Sequence, residues 1–151
     1  PATVCGFSPR MRLDVSVNVF AFQALKFKLM SVFGGEQIRP NIHIQDLINV
    51  YKHFIINTDL PGGFYNAGFE NLKIIEIAHK VAKIISSKIV VREDNDPRSY
   101  RQNSDKLLST GFKSNFTVDD AIKDLKNNYE SKKFTESDKC YTVKWMKELN
   151  L

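Results

Sequence analysis

The sequence predicts an α/β fold. Three observations carry this: β-prone runs and helix-like segments alternate along the chain, the helix-like segments repeat their apolar residues at helical spacing, and glycine or proline groups punctuate several of the changeovers. At 151 residues, with 42% hydrophobic and 26% charged content, the chain has ordinary globular composition and the length of one domain.

Residues 2–6 (Ala-Thr-Val-Cys-Gly) form a short β-prone run followed by a proline-containing loop. Residues 15–28 then place Val19, Phe20, Phe22, Ala24 and Leu25 at positions that suit a helix. Residues 29–33 are again β-prone, Gly34-Gly35 supplies a turn, and residues 38–44 fit an extended element through Ile38, Ile42 and Ile44. Asp46 is expected to cap the next helix, whose apolar stripe is Leu47, Ile48, Val50, Tyr51, Phe54 and Ile55. Pro61-Gly62-Gly63 breaks the chain, residues 64–67 suit a short strand, and Asn71 is placed to cap an amphipathic helix over 72–86. Another strand is expected at Ile89-Val90-Val91. After a polar stretch at 92–103, residues 104–109 make a short helix closed by Gly111. Thr117-Val118-Asp119-Asp120 is a variant capping box that opens a last helix through Leu125 to Tyr129. Residues 130–139 read as a polar linker before an amphipathic tail of Tyr141, Val143, Trp145, Met146 and Leu149.

The net charge of +5 and pI near 9.2 favour anionic partners: nucleic acid, headgroups or a phosphorylated small molecule. The densest lysine cluster, Lys123 to Lys147, is broken by Asp124, Glu130, Glu136 and Asp138, the pattern of a solvated helical surface. Neither nucleic acid nor a membrane is therefore an expected partner. Apolar runs such as 74–85 are interrupted by Glu76, His79, Lys80 and Lys83 and are too short to span a bilayer. With no initiator Met and no charged-then-apolar leader, the amino terminus reads as a cut. Cys5 and Cys140 stand far apart with no metal-ligand spacing, which makes a reducing cytoplasm the default and a metal site unexpected. The sequon Asn115-Phe116-Thr117 is discounted because Thr117 serves as a helix cap.

Seven segments, taken in order, resemble the second half of extended short-chain dehydrogenase/reductases acting on nucleotide sugars. They are Ala2-Thr3-Val4-Cys5-Gly6, Ser8-Pro9-Arg10-Met11-Arg12, Val32-Phe33-Gly34-Gly35-Glu36-Gln37, Arg39-Pro40-Asn41-Ile42-His43-Ile44-Gln45-Asp46, Tyr65-Asn66-Ala67-Gly68, Asp96-Pro97-Arg98-Ser99-Tyr100, and Lys106-Leu107-Leu108 with Gly111-Phe112. The resemblance covers residues 1 to about 129. It implies the terminal part of a Rossmann-type parallel sheet plus a small mixed α/β substrate-binding lobe, with 130–151 as linker and tail. It also implies an amino-terminal half, absent here, that binds NAD or NADP and supplies a catalytic Tyr-x-x-x-Lys pair. Neither that pair nor the closely spaced glycines of a dinucleotide turn occur at the matching places, and Tyr129 to Lys133 fits the letters by coincidence. The chain alone is therefore expected to be inactive. A parent homodimer would pair through helices of the other half.

What the resemblance implies for the site is a grip on a nucleotide-diphosphate sugar. Guanidinium suits a diphosphate because it forks to two oxygens and stays charged. Arg39 and Arg98 fall at the family's diphosphate positions; on the residues alone the favoured readings are a surface ion pair and a loop arginine bonded to Asp96. Asn18 matches an asparagine that bonds phosphate, the alternative being a solvated helix face. Thr3 replaces an asparagine that touches sugar or phosphate, and Ser31, Val32 and Phe33 match a segment lining the nucleobase, or else are core. Ala2 and Cys5 fall beside the cofactor, although Cys5 and Phe7 depart from the family's Tyr-Gly-Pro. Arg10 and Arg12 add positive potential or are loop surface, and His43 reads as a structural histidine. A function of another class stays open: a non-catalytic module binding a nucleotide-sugar or an acidic partner.

Overall fold

The computed structural model describes residues 1–94 and 96–149. It is α/β, with two small sheets. β1 (Thr3–Cys5) pairs in parallel with β3 (Ile38–His43), which pairs antiparallel with β4 (Glu70–Lys73). β2 (Leu29–Phe33) and β5 (Lys88–Arg92) form a parallel pair in register from Leu29↔Lys88 to Phe33↔Arg92. The helices are α1 (Ser16–Phe27), α2 (Ile44–Ile56), α3 (Ile74–Ile85), the short α4 (Asp105–Leu108), α5 (Val118–Glu130) and α6 (Thr142–Glu148).

Helical periodicity is realised as burial. Val17, Ala21 and Ala24 of α1, Ile77, Ala78 and Val81 of α3, and Ala121, Ile122 and Leu125 of α5 close on Met30 and Val32 to make the main core. Each larger aliphatic side chain taken from water there contributes about 1.5–3 kcal/mol before entropy is counted. A smaller cluster of Ile42, Val50, Ala67, Leu107 and Phe112 joins β3 to α2 and α4. Both α1 and α3 stop on a left-handed residue, Lys28 (φ 57°) and Ser86 (φ 51°), whose amides return to Ala24 and Ala82. At the start of α5 the Thr117 and Asp120 side chains cap reciprocally.

Three local expectations are corrected. Asp46 does not cap α2; the His43 ring does, its Nδ1 accepting the Gln45 amide at 3.1 Å. Fully buried Asp46 instead accepts the amides of Asn115 and Phe116 at 3.0–3.1 Å, tying α2 to the loop before α5. Asn71 does not cap α3 but sits in β4, its amide bonded both ways to the Gln102 backbone. Residues 64–67 are not a strand, because β3 pairs with β4 and leaves them without a ladder.

Past α5 the chain folds back on the main core. Phe134 stands edge-on to Phe22 at 5.7 Å, Lys26 meets Glu136 at 2.7 Å, and buried Cys140 accepts the Leu13 amide at 2.7 Å. α6 leaves Val143, Met146 and Leu149 exposed, and the last two residues of the expected tail lie outside the described residues. No helix among the described residues is long and apolar enough to cross a membrane.

Candidate functional site

Two open clefts lie on the side of the molecule where β1, β2 and β3 meet their loops. The first, about 520 Å³, is lined by Ala2, Thr3, Arg10, Arg12, Asn18 and Tyr100 among others. The second, about 620 Å³, is lined by Gly34, Gln37, Arg92, Asp94, Asp96 and Ser99 among others.

A three-charge junction links them. Arg98 forks onto Asp96 through Nε and Nη2, both at 2.8 Å, and Arg39 Nη2 reaches the same carboxylate at 3.1 Å. Arg39 also donates to the carbonyls of Ile38 and Arg98 and stacks its guanidinium over Tyr100 at 5.4 Å. Asp96 lines the second cleft and Tyr100 the first, so the junction touches both. It carries one net positive charge. The Arg98 side chain and backbone amide, with the nearby Arg39 charge, hold the Asp96 carboxyl well below the usual carboxylate range. Arg39 is largely buried and fixed, while the Arg98 side chain is 77% exposed.

The remaining sequence candidates divide. Ala2 and Thr3 line the first cleft with Asn18. Asn18 is buried rather than on a solvated face: its Oδ1 accepts the Gly6 amide at 3.1 Å and its Nδ2 donates to the Arg12 carbonyl at 2.8 Å. It therefore shapes the loop that walls the cleft. Gly6 at φ +103° lets that loop turn beside the His43 ring, where a Cβ would stand 3.2 Å from Nε2. Cys5 does not line the cleft: it is buried in the main core, its thiol donating to the Ile42 carbonyl at 3.4 Å, and burial pushes it up to about 12. In β2, Ser31 takes the Gln23 side chain on its amide, Val32 is core, and Phe33 is exposed beside Gly34 of the second cleft.

His43 is buried, stacked on Phe116 at 4.8 Å, with Nε2 3.2 Å from Asp124 Oδ2 but without a hydrogen-bond geometry to it. Its placement is structural. The loop bond from Arg98 to Asp96 that the sequence offers is present, whereas the Arg39 contacts with Asp96 and Tyr100 have no sequence signal beyond those residues' two-residue offsets from Arg98.

Gly34-Gly35 lead into a strand, not a helix, and Gly62-Gly63 into irregular chain, so among the described residues no glycine turn presents a helix amino terminus to a pyrophosphate. The Cys5 thiol faces core, and Tyr129 packs edge-on to Phe22. No group of three potential metal ligands occurs among the described residues.

No family model matches the chain. Solved structures do share its fold. A dTDP-glucose 4,6-dehydratase from Bacillus anthracis, solved in complex with NAD, aligns with TM-score 0.71 at 16% identity over 88% of this chain and 44% of its own. An ADP-L-glycero-D-manno-heptose-6-epimerase from Helicobacter pylori aligns with TM-score 0.72 at 20% identity over 86% and 43%. A UDP-N-acetylglucosamine 4-epimerase from Bacillus cereus aligns with TM-score 0.71 at 16% identity over 90% and 45%. The chain spans less than half the length of each of these proteins. The chain thus shares its α/β fold with part of each of these three nucleotide-sugar enzymes.

Proposed function

We propose that this chain is the substrate-gripping portion of a NAD(P)-dependent nucleotide-sugar epimerase or dehydratase, holding the nucleotide diphosphate and aligning the sugar. The observation that carries the proposal is the junction of Arg39 and Arg98 on Asp96: its arginines line neither cleft themselves, but Asp96 lines the second and Tyr100, under Arg39, lines the first. Arg39 is held in place before any ligand arrives, and Arg98 offers its remaining guanidinium donors to solvent. A diphosphate laid across this point meets net positive charge from one fixed and one adjustable fork. The nucleoside then extends along the second cleft beside Phe33, and the sugar into the first beside Thr3. Support also comes from the solved neighbours, which are named for enzymes acting on dTDP-, ADP- and UDP-linked sugars.

The chain's part in such a reaction is positioning, with the cofactor site and the proton-transfer pair held outside it. By itself it is inactive. An acidic-partner module is less favoured, because Lys26, Lys80, Lys123 and Lys144 each already face a carboxylate.

Calorimetric titration of the purified chain with UDP, dTDP and ADP tests the grip. Binding of at least one is expected, weakened about tenfold or more by Arg39→Ala, since a hydrogen bond to a charged group contributes roughly 1.5–3 kcal/mol. Unchanged affinity in both Arg39→Ala and Arg98→Ala would sink the assignment, and turnover by the chain alone with NAD and a nucleotide-sugar would sink the positioning role.

A further inference from the structure

The last segment of the chain meets the loop at 10–14, of which Arg10 lines the first cleft, at three points. The Leu13 amide donates to the Cys140 carbonyl at 2.7 Å, the Val143 amide donates to Asp14 Oδ2 at 3.1 Å, and the Arg10 guanidinium lies 5.0 Å over the centre of the Trp145 ring. The segment is itself anchored. Cys140 is core, Phe134 packs on Phe22, and Glu136 takes both the Lys26 ammonium at 2.7 Å and the Tyr141 hydroxyl at 2.6 Å.

Its contacts treat the two cleft arginines differently. Arg12 is paired with Asp14 at 2.8 Å, which offsets its charge. Among the described residues Arg10 meets no carboxylate, only the face of Trp145, whose quadrupole orients a cation without cancelling it. Arginine loses much rotamer freedom when it grips an anion, and a side chain already stacked loses less. Arg10 lines the cleft with Thr3 and Asn18.

We propose that Arg10 is a further anion contact of the cleft and that Trp145 is its positioning residue, so the carboxy-terminal segment sets the site's affinity for a nucleoside diphosphate. This rests on the diphosphate grip proposed above.

Trp145 is the only tryptophan, so its emission reports on the contact directly. Titration with UDP, dTDP and ADP should change that emission saturably, with the midpoint found by calorimetry. Trp145→Ala should weaken binding about two- to fivefold, and Trp145→Phe should restore most of it. Arg10→Ala should weaken it about tenfold or more, and Trp145→Ala should add nothing in that background. A purely structural tail predicts the opposite: lower melting temperatures with affinity unchanged, or two losses that add. Binding with flat emission, or additive losses, overturns the proposal. If Arg39→Ala removes binding while Trp145→Ala does not, the diphosphate site stands and the Trp145 role falls; if the unaltered chain binds none of the three, both fall.

Discussion

The two sheets are finished to different degrees. β1–β3–β4 is tied by side chains reaching from distant segments: Asn71 to Gln102, Glu70 to the Val118 amide and, just before β4, Ser104 to both backbone groups of Gly68. β2–β5 buries Met30 and Val32 on its inner face but exposes Leu29, Phe33, Val90 and Val91. Parallel strands are normally covered on both faces. The mixed sheet with the first cleft is thus held from outside by polar side chains, with Asn41 Oδ1 and His43 Nε2 of β3 still unpartnered, whereas the parallel pair depends on one face.

That contrast can be broken by mutation, beginning with the largest effect. Met30→Ala empties the inner face and should lower unfolding free energy by about 3 kcal/mol in denaturant titration; a loss well under 1 kcal/mol would mean that the pair contributes little to the core. Asp46→Ala strands the amides of Asn115 and Phe116 and should cost about 2–3 kcal/mol. Near-normal stability there would show that α2 does not need its tie to the loop before α5.

A pH series probes Cys5 in β1, the edge strand of the mixed sheet. The unfolded thiol ionises near its ordinary 9.0, the folded one only near about 12. Between these values the folded state keeps a proton that the unfolded state has lost, so stability should fall as pH rises, by at most about 1.4 kcal/mol per pH unit. Cys5→Ser should remove that slope; a slope unchanged by the substitution would assign it elsewhere. Smallest of all, Val90→Ser on the outer face, beside Ser31, should change stability by less than about 0.5 kcal/mol, and a larger loss would mean that the face is packed in solution.

What was legible in the sequence follows the same divide. Strong apolar periodicity announced α1, α2, α3 and α5, and the Thr117 capping box marked the start of α5 within a residue. β4 was hidden because Glu70, Asn71 and Lys73 carry no apolar alternation; the strand exists through pairing with β3 and through side chains that bond elsewhere. Phe64 to Ala67 showed the reverse, β-prone residues without a partner strand. Asp46 and Asn71 were both taken for caps from their place before an apolar run, since local spacing carries no sign of a loop arriving from Asn115 or Gln102. In the site, motif order selected Arg39, Arg98, Thr3 and Asn18, but not that both arginines converge on Asp96, nor that Asn18 spends its amide on the backbone of Gly6 and Arg12.

The junction itself is the claim most open to direct measurement. In NMR spectra of the 151-residue chain the guanidinium N–H signals of Arg39 and Arg98 should move together as dTDP, UDP or ADP is added, with the midpoint of calorimetric binding. Shifts confined to other residues, with both arginine signals still, would contradict a diphosphate grip at this point.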